Sequence, residues 1–248
     1  MPHPYYQQIT YQKHQNMKFL NTLLFVLFCL PLTLLAQKTE NTDKRAMDDF
    51  NQVYIEGHFD VILHQGDQTG VYLDAKKSAD LSLVKTSIKD EKLSIVYNHG
   101  NVVRNTPKIQ LHLYYKDVSR IEIEGKIWLE SNETLTAETL KIFGEGMIKG
   151  EIDVNIKKIL VDMEGLIRLK INGKADVAKF NLEGMGRIDG KKLVAQKAST
   201  NVAGWAKTFI DVQQEYAANM EGIGSINFTG DPEKASINRE GIVIVRDN

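Results

Sequence analysis

The chain has 248 residues, 42% of them hydrophobic and 25% charged, and Lys+Arg 31 against Asp+Glu 32 leaves a formal net charge of −1. That composition is globular and long enough for one large or two small domains. It carries no basic surplus to neutralise a phosphate backbone, which argues against nucleic acid as a partner, and 18 glycines with 5 prolines exclude a collagen-like chain.

The first predicted element is a processing signal. Met17-Lys18 precedes an apolar run from Phe19 to Ala36, interrupted by Asn21, Thr22, Pro31 and Thr33. One positive charge, a short Leu/Phe-rich stretch and a small residue before Gln37 read as a secretory signal peptide over 17–36. A membrane-spanning helix needs about 20 apolar residues, so the membrane is expected to be met only through this signal. Residues 1–16 sit awkwardly ahead of it, and Met17 is the expected start. Cleavage removes Lys13 and Lys18 with no acid, moving the charge from −1 to −3, and takes Cys29, the single cysteine. The mature chain then has no disulfide, thiolate nucleophile or cysteine metal ligand.

Residues 37–49 are polar and pattern-free and read as a linker to one domain over 50–248. Short alternating runs follow at Val53-Tyr54-Ile55, Phe59 to Leu63, Val71 to Leu73, Leu93 to Tyr97 and Ile109 to Tyr114. Alternation of β-branched and aromatic residues bounded by Gly, Asn, Asp and Pro predicts strands. Residues 78–87 read as one short helix.

From residue 119 a repeat takes over. Gly125, Gly144, Gly165, Gly184, Gly204, Gly222 and Gly241 recur at spacings of 19, 21, 19, 20, 18 and 19. Aligned on them, the column four before reads Ile121, Leu140, Val161, Phe180, Thr200, Ala218 and Ile237. The column two before is apolar until Arg239, and the column four after runs from Leu129 to Val245. Twenty residues are too few for a strand–helix–strand crossover but suffice for one coil of three short strands. The expected fold is all-β: a single-stranded parallel β-helix, right-handed, with about seven glycine-centred coils stacked into one core. The glycines mark corners of positive φ or close approach. Tyr54-Ile55-Glu56-Gly57 repeats the pattern once upstream, so residues 50–118 are an irregular β layer on the regular coils of 119–248.

Phe50-Asn-Gln-Val-Tyr-Ile-Glu-Gly57, Asp60-Val-Ile-Leu-His-Gln-Gly-Asp67, Glu91-Lys-Leu-Ser-Ile-Val96 and Val118-Ser-Arg-Ile-Glu-Ile-Glu-Gly125 resemble the family called putative auto-transporter adhesin, head GIN domain. The resemblance covers roughly residues 50–230. It implies an exported β-helical protein of the kind common in Bacteroidetes, and its motifs are structural, so it carries no catalytic residues.

Two polar columns alternate with the apolar ones and are expected outside. One runs through Asp162, Asn181, Asn201, Asn219 and Asn238; the other through Glu164, Glu183, Glu221 and Glu240. This stripe reads first as a solvated face, with Arg168, Arg187 and Lys207 near enough to offset its charge. The sharper reading is a glycan or divalent-cation site. The residues after the glycines, Leu166, Met185, Trp205, Ile223 and Ile242, are expected to turn inward and complete the core. Left outside, they would be an apolar stripe for a partner, anchored by Trp205.

No catalytic residue, cofactor or metal is assigned. The leading reading is an exported, non-enzymatic surface or envelope binding protein with a glycan or protein partner, and self-association is open. Periplasm, outer membrane and extracellular space are all compatible with the signal. The alternative is a carbohydrate-active enzyme, a lyase or hydrolase, for which Asp162, Glu164, Glu183, Arg168 and Arg187 are the cluster to nominate. The histidines His58, His64, His99 and His112 lack zinc-ligand spacing and read as strand or turn residues.

Overall fold

A computed structural model of the chain describes residues 41–76, 79–97 and 108–247. The expected signal peptide over 17–36 and the segment before it lie outside the described residues. Within them the chain is all-β, apart from one turn of 3-10 helix at Leu81–Leu83. The strands are β1 (Asn41–Ala46), β2 (Gln52–Gln65), β3 (Gly70–Ala75), β4 (Val84–Lys89), β5 (Lys92–Tyr97), β6 (Ile109–Tyr115), β7 (Arg120–Ser131), β8 (Leu135–Thr229) and β9 (Lys234–Asp247). They form one open sheet in the order β1-β3-β6-β2-β7-β8-β9, with β5 on β2 and β4 on β5.

Alternation dictates these strands. In β6, Ile109, Leu111, Leu113 and Tyr115 are buried while Gln110, His112 and Tyr114 are partly exposed. In β2, Val53, Ile55, Phe59, Val61 and Leu63 are fully buried. Two segments depart from expectation. Residues 41–46 of the presumed linker form β1, antiparallel to β3, with Arg45 donating to the carbonyls of Val84 and Leu81. A polar strand on the sheet edge leaves no apolar pattern to read. The expected helix over 78–87 is a single 3-10 turn, capped by Asp80 accepting from the Ser82 N–H, followed by β4. The tight turn through Asp90 and Glu91, both at positive φ, pairs β4 with β5.

The repeat reaches upstream as anticipated. β2 and β7 pair in parallel with Val53, Ile55 and Gly57 opposite Ile121, Ile123 and Gly125. β8 is 95 residues long; fully extended it would span on the order of 300 Å, so it must fold back on itself. Its glycines show how. A Cβ built on Gly165 would lie 2.3 Å from the Gly146 carbonyl oxygen, and one on Gly184 would lie 2.6 Å from that of Gly165. Segments one repeat apart therefore lie backbone to backbone.

The glycine column needs one correction. Gly125 pairs with Gly146, not Gly144. Gly146 has φ +114, whereas a Cβ on Gly144 would point inward at Ile148 Cδ1 and Met163 Sδ. A two-residue slip preserves which side chains face in, so the apolar columns are blind to it. The true register puts Glu145 in the acidic column and Met147 after the glycine. Phe143 moves beside Glu122, with the Arg120 guanidinium 3.9 Å from its ring centroid.

Candidate functional site

Alternation runs straight through the positive-φ glycines of the column. The residue two after it is inward, as at Ile127, Ile148, Ile167 and Ala206, all buried. The residues just before and just after it both face out. The outer surface therefore carries four parallel columns at the inter-strand spacing of about 4.8 Å: Asn, Glu, apolar, and one that is cationic at Lys149, Arg168, Arg187 and Lys207 and holds Trp128, Ser225 and Ile244 in the other repeats.

The Asn column is a hydrogen-bonded ladder. Asn238 Nδ2 donates to Asn219 Oδ1 (2.9 Å), Asn219 to Asn201 (2.9 Å), Asn201 to Asn181 (3.0 Å), and Asn181 to Asp162 Oδ2 (3.1 Å). All four amides point the same way, and the ladder ends on a carboxylate that accepts its last N–H. The column is thus largely satisfied by itself. Glu183, Glu221 and Glu240 line the same shallow groove, interrupted by Ala203. Neighbouring carboxylates repel by about 1 kcal/mol in water, which an exposed column tolerates.

Asn201→Ala removes two ladder bonds and is expected to destabilise by about 1 kcal/mol in urea unfolding. Glu183→Gln relieves repulsion and should leave stability equal or slightly higher. The reverse order would assign the structural role to the acids.

The apolar column is not in the core. Met147 (39% exposed), Leu166 (43%), Met185 (47%), Trp205 (59%), Ile223 (48%) and Ile242 (70%) form a continuous exposed row. The expected inward turn fails because a bend at glycine leaves the in–out parity unchanged. Trp205 consequently lies apart from the Asn and Glu columns. It lines a second groove with Leu166, Met185, Arg168, Arg187 and Lys207. These cations do not offset the acidic column: Arg187 pairs with Asp189 and lies 4.2 Å from the Phe209 ring centroid. The nominated enzymatic cluster is likewise divided, with Asp162, Glu164 and Glu183 on one side of the glycines and Arg168 and Arg187 on the other. Among the described residues no three His, Cys, Asp or Glu side chains converge on one point.

Two histidines that sequence spacing left unlinked are joined by the β2–β6 pairing. His64 Nε2 and His112 Nδ1 are 2.9 Å apart, and His64 stacks on Tyr114. Burial is the first cause that lowers both pKa values, and for His112 the neighbouring His64 adds to it. One nitrogen must donate and the other accept, so the pair is held short of double protonation. A folded pKa below the unfolded value near 6.5 means that the unfolded state binds more protons as pH falls. Stability from this pair is complete above about pH 6.5 and is lost on acidification below it. His112→Gln is expected to flatten the dependence of Tm on pH between about 6.5 and 5; an unchanged profile would assign the acid sensitivity elsewhere.

A family model described as "Putative auto-transporter adhesin, head GIN domain" matches residues 49–232. Among solved structures, a putative adhesin from Bacteroides fragilis is 19% identical, with 85% of this chain and 98% of that chain covered and a TM-score of 0.75. A putative adhesin from Parabacteroides merdae is 16% identical over 84% and 96% of the two chains, with a TM-score of 0.64. A putative lipid binding protein from Parabacteroides distasonis is 18% identical over 84% and 96%, with a TM-score of 0.60. At these identities the likeness is one of fold. No curated protein matches.

Proposed function

Because the chain belongs to the head GIN domain family of auto-transporter-adhesin type, we propose that it is an exported, non-enzymatic binding protein of the cell envelope. The scaffold of this reading is a right-handed parallel β-helix of glycine-centred coils with the irregular strands of residues 50–118 as its first layer. Export rests on the Met17–Ala36 segment. Binding rests on one observation above all: the exposed apolar row through Leu166, Met185, Trp205 and Ile223. A row of large side chains that burial would stabilise by about 1.5–3 kcal/mol each is left in water. Folding alone gains nothing from that arrangement, whereas a partner or glycan lying on the row does.

The test is binding of the labelled protein to intact host cells and to a glycan array, with parallel assays for reducing-end or unsaturated product. Saturable binding without turnover, lost in Trp205→Ala, supports the reading. Turnover abolished by Glu164→Gln or Glu183→Gln would make the protein a carbohydrate-active enzyme instead. Cell fractionation with surface proteolysis tests export, and recovery of the uncleaved chain in the cytoplasm would overturn it.

A further inference from the structure

Charge is segregated next to the glycine column: acids stand just before it and cations three residues after it, with Asp189 beyond them paired to Arg187. The groove beside Trp205 is walled on one side by Leu166, Met185 and Trp205 and on the other by Arg168, Arg187 and Lys207, with no acidic residue lining it. The adjoining groove shares Arg187 and Lys207, adds Lys191 and Arg246, and has no acidic lining either. Among the described residues no carboxylate pairs with Lys149, Arg168 or Lys207. A chain with a net charge of −1 thus keeps Lys149, Arg168 and Lys207 unneutralised in one line, interrupted by the Arg187–Asp189 pair, next to a line of exposed apolar side chains.

We propose that this groove takes a linear polyanionic polysaccharide, its chain running across the strands. This rests on reading the apolar row as the binding face and names its ligand class. Three features select the occupant. The unpaired cations Arg168 and Lys207 flank the paired Arg187 two strand spacings apart, about 9.6 Å, close to the length of two pyranose units, so acidic groups on alternate sugars, which a chain of two-fold twist turns to the same side, meet both. An extended peptide places same-side acids about 6.6–6.8 Å apart and falls out of step. The opposite wall is apolar and includes Trp205, which suits the C–H faces of sugar rings. A bilayer is disfavoured because a plane would also press on Glu145, Glu164 and Glu183 just across the glycines, cancelling the attraction of an anionic surface. A thread in the groove meets only the cationic side.

The probe is polygalacturonate, with dextran as the neutral polymer, poly-glutamate as the acidic peptide, and phosphatidylglycerol vesicles as the anionic membrane. The full-length chain carries Trp128→Phe, leaving Trp205 as its sole tryptophan. Polygalacturonate is expected to change Trp205 fluorescence saturably, with affinity falling steeply as salt rises, because bound counterions are released. Arg168→Glu and Lys207→Glu, both at exposed sites, should each weaken binding by at least about tenfold with unchanged circular dichroism. Equal binding of dextran, equal binding of poly-glutamate, or full affinity in both charge variants would overturn the proposal. Vesicle binding without polygalacturonate binding would assign the groove to lipid. Cell binding lost in Trp205→Ala without polygalacturonate binding overturns the ligand class alone; cell binding retained in Trp205→Ala overturns the binding face itself.

Discussion

Gly184→Val is expected to lower Tm by roughly 10 °C or more, while Lys192→Val shifts it by no more than about 2 °C. Gly184 sits at φ +111, and a Cβ there would lie 2.6 Å from Gly165 O and 3.1 Å from Gly165 N. These are backbone atoms of the neighbouring repeat and cannot rotate away. Backbone strain at such a position costs about 1–3 kcal/mol, and the overlap adds to it. In a domain of this size each kcal/mol corresponds to about 2–4 °C. Lys192 is exposed and lacks both constraints. The same physics orders Gly146→Ala against Gly144→Ala. The first would put a Cβ 2.4 Å from Gly125 O at φ +114; the second meets side chains alone, the movable ends of Ile148 and Met163 and, at 3.3 Å, Ile123 Cγ1. Gly146→Ala should be the more damaging in a thermal scan. Equal midpoints for Gly184→Val and Lys192→Val would show that close backbone approach at the glycines does not hold the strand spacing.

Arg239→Leu is expected to convert the protein into concentration-dependent dimers or larger assemblies with little change in β content. Arg239 lies opposite Met220 in the β8–β9 register, in the column that holds Ile123, Met163, Leu182 and Val202, all buried. It is exposed, and among the described residues no strand pairs with the outer side of β9. A guanidinium buried between strands would lose its hydration, whereas at the outer strand its head reaches water. Another strand stacked on β9 would bury that charge, so the arginine opposes edge-to-edge growth. Light scattering over a concentration series reads the outcome. A variant as monodisperse as the parent at high concentration would leave the arginine without this role.

The Asn ladder was visible in the sequence as a column, since outward residues one repeat apart must stack once the repeat is known. Its hydrogen bonds and their common direction follow from side-chain geometry that no residue spacing records. The apolar row is a different case. Leu166, Met185 and Trp205 are legible as a set, but their side of the sheet is not, because a glycine can bend a strand without reversing its alternation. Gly144 and Gly146 are indistinguishable by spacing for a related reason: two residues apart, both satisfy the same inward pattern. Only the paired backbone and its positive φ separate them. The polar strand β1 and the turn at Leu81–Leu83 show no periodicity of their own. Each is held by partners elsewhere in the chain, β3 for the first and the Arg45 contacts for the second.

The amino-acid order by itself determined the strand-rich class, the repeat of about 19 residues, the upstream match at Gly57 and the composition of the columns outside the Gly144–Gly146 repeat. Those are consequences of alternation and periodicity, which are local. The tertiary structure alone decided which glycine of a pair enters the column, which columns share a groove, and that acids and cations stand on opposite sides of the apolar row. These depend on the lateral register of strands some 20 residues apart, fixed by backbone contact between neighbouring repeats and not by any pattern within one.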